Sequence, residues 1–411
     1  MPFPLPLEAL VGKPLMYLIF GLIGFGFGFV LEISGFGNSK KLAAQFYFKD
    51  MTVLKVMFTA IIVAMVLIFT MVGLGVLDFN QVWVNPTYLW PGIVGGLIMG
   101  VGFVIGGFCP GTSLVAASTF KVDGVFFVLG GLFGIFLFGE TEQYFDTWWN
   151  SSYYGRLTIM DWLGLSTGVV VVAVVLMALF MFWAGEKLEH RFGGVDQKRA
   201  PKWRYAGAGV LLAAAVGVLL IGQPTTESKW QRVATVKDAA LVNREVQIHP
   251  GELLASLGDD ALRVVVLDVR PESEYNLFHI QGAQNAPLDQ LPSFIPELHA
   301  KQAANTVFVT VGNDEEAATN AWKLLTAESV PNVYILEGGI NNWLATFEAE
   351  GSEIQATPTP MPGNDTLKYV FASALGDRYA AAAPSPHEWE LEYTPKIKLQ
   401  IQRDKSGGGC G

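Results

Sequence analysis

The chain has 411 residues, 51% of them hydrophobic and only 16% charged, with 45 glycines and a formal net charge of −10. The acidic balance and the lack of a long basic cluster exclude nucleic acid as a partner. Two cysteines, Cys109 and Cys410, are too few for a disulfide framework, and neither a metal nor a cofactor is expected.

These averages conceal a split. Up to about residue 222 the chain is apolar and glycine-rich, with long uncharged runs; from 223 onward it has an ordinary soluble composition. This predicts a polytopic α-helical membrane domain over 1–222, a linker at 223–244, a soluble α/β domain over 245–352, and a Pro-rich linker with a flexible tail over 353–411. The opening stretch "MPFPLPLEALVGKPLMYLIF" lacks a basic leader and a clear small-residue cleavage site, so it reads as the approach to the first span.

Six apolar runs approach the roughly 20 residues needed to cross a bilayer. They lie near 15–36, 53–76, 88–108, 124–139, 162–184 and 205–222. The fourth is short, and it and the third could be partly re-entrant. "GFGFGF" in the first and "GIVGGLIMGVGFVIGG" in the third are dense in glycine. Glycine lets helices approach closely, and it permits broken helices where backbone lines a cavity.

Lys and Arg set the orientation. Lys40, Lys41, Lys49 and Lys55 follow the first span, Lys121 the third, and Lys187, Arg191, Lys198, Arg199, Lys202 and Arg204 the fifth. The alternate loops carry a single Arg together with acids and aromatics. The basic loops are therefore expected on the cytoplasmic side. An even number of spans then puts both termini, and the soluble domain, on the periplasmic or exterior side.

The third run ends in "IGGFCPGTSLVAAS" (105–118). A buried Cys commonly serves as a small apolar residue, but the context here is unusual. Gly107 precedes Cys109, Pro110 and Gly111 interrupt the helix beside it, and Thr112 and Ser113 add hydroxyls. "GTSLVAAS" is placed to open a short helix, whose free N–H groups and positive end favour an anion or a thiolate. Glu32 falls near the end of the first span, where a charge is costly. Lys40 and Lys41 follow it at the expected cytoplasmic mouth, where lysines also act as plain topology signals.

"GFGFGFVLEISGFGNSKKLAAQFYFKDMTVLKVMFTAI" together with "GGFCPGTSLVAAS" resembles the YeeE/YedE family of sulfur-compound transporters over roughly residues 15–140. The resemblance implies membrane passage of thiosulfate or a related reduced sulfur anion. In that family, cysteines along the pathway are proposed to relay the anion through brief sulfur contacts. Only Cys109 falls on such a position; where many relatives carry a Cys in the first motif, this sequence has Gly37-Asn38. Full-length relatives have two related halves. One copy is found here, which implies a homodimer or a second half-length subunit. The resemblance assigns the pathway thiol to Cys109; together with the turn and charges read above, the candidate substrate pathway is Cys109, Gly107, Pro110, Gly111, Thr112, Ser113, Glu32 and Lys40, in a bacterial inner membrane.

In the soluble half, "RVVVLDVRPESEYNLFHIQGAQNAPL" (263–288) reads as a buried strand, a charged turn and a short helix. "TVFVTVGNDEEAATNAWKLLTAESVPNVYILEGGINNWLATF" (306–347) reads as strand, loop, helix and strand, so a parallel sheet is expected. Asp268, Arg270, Glu274, His279 and Gly282 with "EGGINNW" make residues 245–350 resemble a rhodanese domain. The resemblance implies a persulfide-forming Cys at the end of the strand before the loop; Thr310 stands at the equivalent point. A hydroxyl cannot form a persulfide, and Asp314, Glu315 and Glu316 would repel an anion. A catalytically dead rhodanese site is therefore expected, with Asp268 and Arg270 as a structural brace and the domain as a docking or sulfur-handling module. At the end of the chain, "SGGGCG" places Cys410 on a flexible tether. This leaves two alternatives to transport: a membrane-tethered sulfurtransferase working through Cys410, and a sulfur sensor or scaffold.

Overall fold

The computed structural model describes residues 3–5, 7–82, 84–194, 202–301, 305–347, 354–356, 365–389 and 391–399. Cys410, Lys198 and Arg199 lie outside the described residues. The chain divides after Gln223 into two compact units.

The first unit is helical: α1 (Leu7–Ile33), α2 (Ser39–Ala44), α3 (Thr52–Gly73), α4 (Leu89–Gly106), α5 (Pro110–Ser118), α6 (Val122–Thr141), α7 (Asp146–Trp149), α8 (Ile159–Leu163), α9 (Thr167–Gly193) and α10 (Trp203–Ile221). Among the described residues, six helical stretches are long and apolar enough to cross a membrane: Leu10–Ile33, Thr52–Gly73, Leu89–Ser118, Val122–Tyr144, Thr167–Gly193 and Trp203–Ile221. The third contains a break between α4 and α5. The fourth is longer than its apolar run because the helix continues through Glu140.

Helices α3, α9 and α10 pack together around Ile62, Val66, Val171, Val175, Ala178 and Ala215. Glycine sets the spacing here: a Cβ on Gly168 would stand 2.6 Å from Leu219 Cα. The glycines of α1, α4 and α6 behave differently. Gly24 and Gly28, Gly96 and Gly100, and Gly130 and Gly134 have no described atom near their missing Cβ.

The second unit contains α11 (Thr226–Val242), β1 (Gln247–Ile248), α12 (Pro250–Leu257), β2 (Arg263–Asp268), α13 (Glu272–Leu277), β3 (Gln284–Asn285), α14 (Leu291–Lys301), β4 (Thr306–Val311), α15 (Glu316–Ala327), β5 (Val333–Leu336), α16 (Gly339–Phe347), β6 (Ile354–Ala356) and β7 (Tyr369–Phe371). Strands β1 to β5 form one parallel sheet in the order β1-β5-β4-β2-β3. All six residues of the central strand β4 are buried, as both of its faces are covered. Val307, Val309 and Val311 join one core with Trp343 and Phe347, while Phe308 joins the other with Trp322 and Leu325.

Two segment expectations are corrected. Most of 223–244 is helix rather than linker: Thr225 caps α11, Trp230 stacks edge-on against Trp322 at 5.9 Å, and Lys229 pairs with Glu328 at 2.5 Å. The helix is polar overall, so its few anchoring side chains leave little periodic signal. Within 353–411, the described residues 365–389 and 391–399 pack against the domain instead of trailing from it. Tyr379, Ala381 and Ala382 are buried, Trp343 Nε1 donates to the Ala381 carbonyl at 2.8 Å, and Glu252 accepts the Lys396 and Ile397 N–H groups at 2.7 Å each. Strand β7 also pairs antiparallel with β6.

Candidate functional site

The α4–α5 break follows from three residues. Gly107 closes α4 in the left-handed region at φ +73°, which glycine tolerates without a Cβ penalty. Pro110 then opens α5 at its first position, where the missing N–H costs nothing. Between them Cys109 is the N-cap of α5. The Thr112 N–H donates to Cys109 Sγ at 3.5 Å, the Cys109 N–H donates to Thr112 Oγ1 at 3.0 Å, and Sγ and Oγ1 lie 3.3 Å apart. This is a capping box with sulfur in the place of the usual hydroxyl. The thiol is half-buried, and it is the free cysteine of the described residues. Thr112 and Ser113 are buried, the latter donating to the Pro110 carbonyl at 2.7 Å. Pro110 is exposed and Gly111 half-buried.

The first sequence motif folds onto the second. Phe36 and Leu42 share a buried cluster with Val53, Phe108 and Ala116. A Cβ on Gly107 would stand 3.1 Å from both Cβ and the carbonyl oxygen of Ser39, and Ser39 Oγ donates to Asp123 at 2.6 Å. Glu32 pairs with Lys121 at 3.2 Å, just past the C-terminal end of α5. Gly37 lies against both: its Cβ would be 2.5 Å from Glu32 Oε2 and 2.8 Å from Lys121 Nζ. The corner from Glu32 to Ser39 thus runs beside α5, with Cys109 at one end and the ion pair at the other. Gly124 brings α6 in as well, since a Cβ there would be 2.5 Å from Ala116 Cβ. Lys40 is exposed; Asn38 Oδ1 accepts its backbone N–H at 3.0 Å.

In the second unit the loop from Gly312 to Glu315 follows β4. Thr310 lies one residue before the end of the strand. It is fully buried, and its hydroxyl contacts the carbonyls of Ala318 (3.0 Å) and Tyr334 (3.2 Å). Asp268 and Arg270, each 1% exposed, form a bidentate pair at 2.9 and 2.6 Å. Arg270 also donates to the Phe278 carbonyl at 2.7 Å and to Asn313 Oδ1 at 3.3 Å, and Asn313 Nδ2 donates to Glu274 at 2.6 Å. The brace therefore reaches the loop through Asn313. His279 stacks on Tyr275 at 3.8 Å, with Nδ1 2.9 Å from the Tyr275 carbonyl. Burial, reinforced by Asp268, pushes the Tyr275 phenol above its ordinary value. Arg244 bonds Glu315 and Glu337, and Glu315 above all raises the guanidinium further against the opposing effect of burial.

The acidic loop is thus largely offset by partners: Asp314 accepts from Lys368 Nζ at 2.9 Å, and Glu315 from Arg244 at 2.8 Å. Among the described residues, no group of three or more His, Cys, Asp or Glu side chains is arranged to hold a metal ion. Lys368 and Asp123 lie outside the stretches that stand out in the sequence, and Asn313, Asn341 and Ser39 lie inside such stretches without a mark of their own. Their roles emerge only from long-range contacts.

Comparison with known proteins accords with both halves. The family model for Sulphur transport matches residues 34–250, and that for the Rhodanese-like domain matches 249–346. The thiosulfate transporter TsuA of Spirochaeta thermophila is 26% identical over 224 residues, which cover 51% of this chain and 64% of that protein. The chain therefore spans less than two thirds of that relative's length. The thiosulfate sulfurtransferases GlpE of Tolumonas auensis and Pseudomonas fluorescens are each 30% identical, over 20% and 22% of this chain and 72% and 78% of their own. Six apolar helices and a parallel-sheet second unit accord with these matches, and the chain is an integral membrane protein of the Sulphur transport (YeeE/YedE) family that carries a C-terminal rhodanese-like domain.

Proposed function

We propose that the chain passes a reduced sulfur anion, thiosulfate first among them, through the membrane at the α4–α5 break. The observation that carries this reading is the break itself. A half-buried thiol heads a helix whose N-terminal N–H groups and positive end favour an anion. A charged corner of the first motif lies along the same helix. Cys109 makes transient contacts with the anion and forms no lasting covalent bond. Gly107, Pro110, Gly111, Thr112 and Ser113 shape the turn, and Glu32 and Lys40 provide charge at the cytoplasmic mouth. The similarity to a thiosulfate transporter supports the choice of anion.

The passage is completed by a second copy, or by another half-length subunit. In support, the chain matches 64% of a transporter relative, and Gly24 and Gly28 of α1, Gly96 and Gly100 of α4, and Gly130 and Gly134 of α6 have no described atom of another element within 4 Å of where a Cβ would stand. Six spans with basic alternate loops favour the bacterial inner membrane, with the rhodanese-like unit on the periplasmic side. That unit acts as a docking or sulfur-handling module, since the buried Thr310 offers no thiol to carry sulfur.

The test is uptake of radiolabelled thiosulfate by cells that lack other thiosulfate importers. Expression of the chain should confer uptake, and cross-linking should capture a dimer through α1 or α6. No uptake at normal membrane levels, with or without a second half-length subunit, would overturn the transport reading. Turnover of thiosulfate and cyanide by the full chain that vanishes in Cys410→Ser would replace it with the sulfurtransferase.

A further inference from the structure

The rhodanese-like unit carries its own anion. The Asp365 side chain reaches the loop after β4, where its two carboxylate oxygens each take one backbone donor: Oδ1 accepts from the Asp314 N–H at 2.6 Å and Oδ2 from the Ala317 N–H at 2.8 Å. The Ala317 N–H belongs to the first turn of α15, whose amides have no intrahelical acceptor and whose dipole is positive at this end. Gly312 leaves room for the carboxylate, since a Cβ there would be 3.1 Å from Asp365 Oδ1.

The backbone around Asp365 is arranged to deliver it. Asp365 sits at φ +61°, a region that costs energy for a residue with a side chain. Its carbonyl accepts from Asn313 Nδ2 at 3.0 Å, and the next carbonyl, of Thr366, accepts from Asn341 Nδ2 at 2.9 Å. The Lys368 N–H donates to Asn341 Oδ1 at 2.8 Å, and Lys368 Nζ pairs with Asp314. This strap leads directly into β7. The surrounding sequence is acidic, with Asp314, Glu315 and Glu316 in a row. A negative field would drive a further carboxylate away, so the directed N–H donors hold it, helped by the neutralisation of Asp314 by Lys368 and of Glu315 by Arg244.

We propose that Asp365 is a built-in occupant of an oxyanion seat formed by the loop from Gly312 to Ala317. The strap shuts this seat to free anions, and removal of the carboxylate opens it to small oxyanions such as sulfate or thiosulfate. This inference does not depend on the transport reading, because it concerns donors in the second unit alone.

The test is hydrogen exchange followed by mass spectrometry on the full chain in detergent. Peptides covering 312–318 are compared in the wild type, Asp365→Asn and Asp365→Ala, with and without millimolar thiosulfate or sulfate. Asp365→Asn keeps the size of the side chain and the Asn341 and Lys368 clasps while removing the charge. The wild-type loop should exchange slowly and be indifferent to added anion. Both variants should exchange about tenfold faster, the scale of one lost charge-assisted hydrogen bond, and either anion should slow them again. Unchanged exchange in the variants, faster exchange that no anion slows, or a wild-type loop that responds to the anion would each overturn the proposal. Loss of protection through β2 and β4 in both variants would also overturn it, because Asp365 would then be a brace for the fold and not the occupant of a seat.

Discussion

Replacing Arg270 by Met tests how the rhodanese-like unit is held together. The guanidinium is 1% exposed; it bonds both oxygens of the equally buried Asp268, the Phe278 carbonyl and the Asn313 side chain. Arg270→Met leaves the Asp268 carboxylate buried without its counter-charge, a change that costs roughly 3–5 kcal/mol. For a unit of this size each kcal/mol moves the midpoint by about 2–4 °C, so the transition should fall by about 6–20 °C. Pulse-labelling hydrogen exchange of the β2 and β4 peptides along a temperature ramp, in the detergent-solubilised full chain, reads this unit alone. The double variant Asp268→Leu/Arg270→Met should recover much of the loss, because it removes the stranded charge as well as the pair. A drop of less than about 2 °C in Arg270→Met, or a double variant less stable than either single one, would refute the reasoning.

Gly339→Ala should be damaging on a similar scale. Gly339 sits at φ +57°, and a Cβ there would collide with the carbonyl oxygens of Gly312 (2.5 Å), Asn313 (2.6 Å) and Asp314, so a loss of about 2–5 kcal/mol is expected in the same assay. Gly107→Ala forces a Cβ into the left-handed region and to 3.1 Å from Ser39; it should cost about 1–3 kcal/mol and lower the amount of folded protein in the membrane, read by fluorescence-detected gel filtration. The Tyr334 phenol is raised above 10.0 chiefly by burial, with its bond from the Lys398 N–H opposing. The folded state therefore keeps this proton longer than the unfolded one. Its contribution is full below the unfolded value and is lost as pH rises through the folded one. Protection of the 391–399 peptides should weaken above about pH 10, and Tyr334→Phe should blunt that dependence; a pH response identical in the variant would contradict it.

Much of this architecture is legible in the sequence because it rests on local signals. Hydrophobic run length locates the six spans, and "GGFCPG" announces a helix stop and restart, since Gly and Pro act on their own backbone. The buried strands "VVVLD" and "TVFVT" stand out for the same reason: they are runs of apolar residues closed by few polar ones, Asp268 paired with Arg270 and Thr310 bonded to backbone carbonyls. Other features depend on distant partners and leave no such mark. The polar α11 is held by Trp230 on Trp322, and the tail by Glu252 accepting two N–H groups more than a hundred residues away. Asp365 reads as one polar residue after a Pro-rich stretch, because the donors that define its role lie on the loop after β4. The acidic run Asp314-Glu315-Glu316 reads as repulsive when Lys368 and Arg244 are out of view.

The most direct test of the transport reading separates the two roles of Cys109. As the N-cap of α5 it accepts the Thr112 N–H at 3.5 Å, a task for which serine is a preferred residue. Cys109→Ser should therefore keep the α4–α5 break folded, whereas Cys109→Ala removes the cap at a cost of roughly 1 kcal/mol. Thiosulfate uptake is measured for both variants and the wild type at matched membrane levels. The account predicts that Cys109→Ser is as stable as the wild type yet transports as poorly as Cys109→Ala. Uptake by Cys109→Ser equal to that of the wild type would contradict it, since the thiol would then be only a cap.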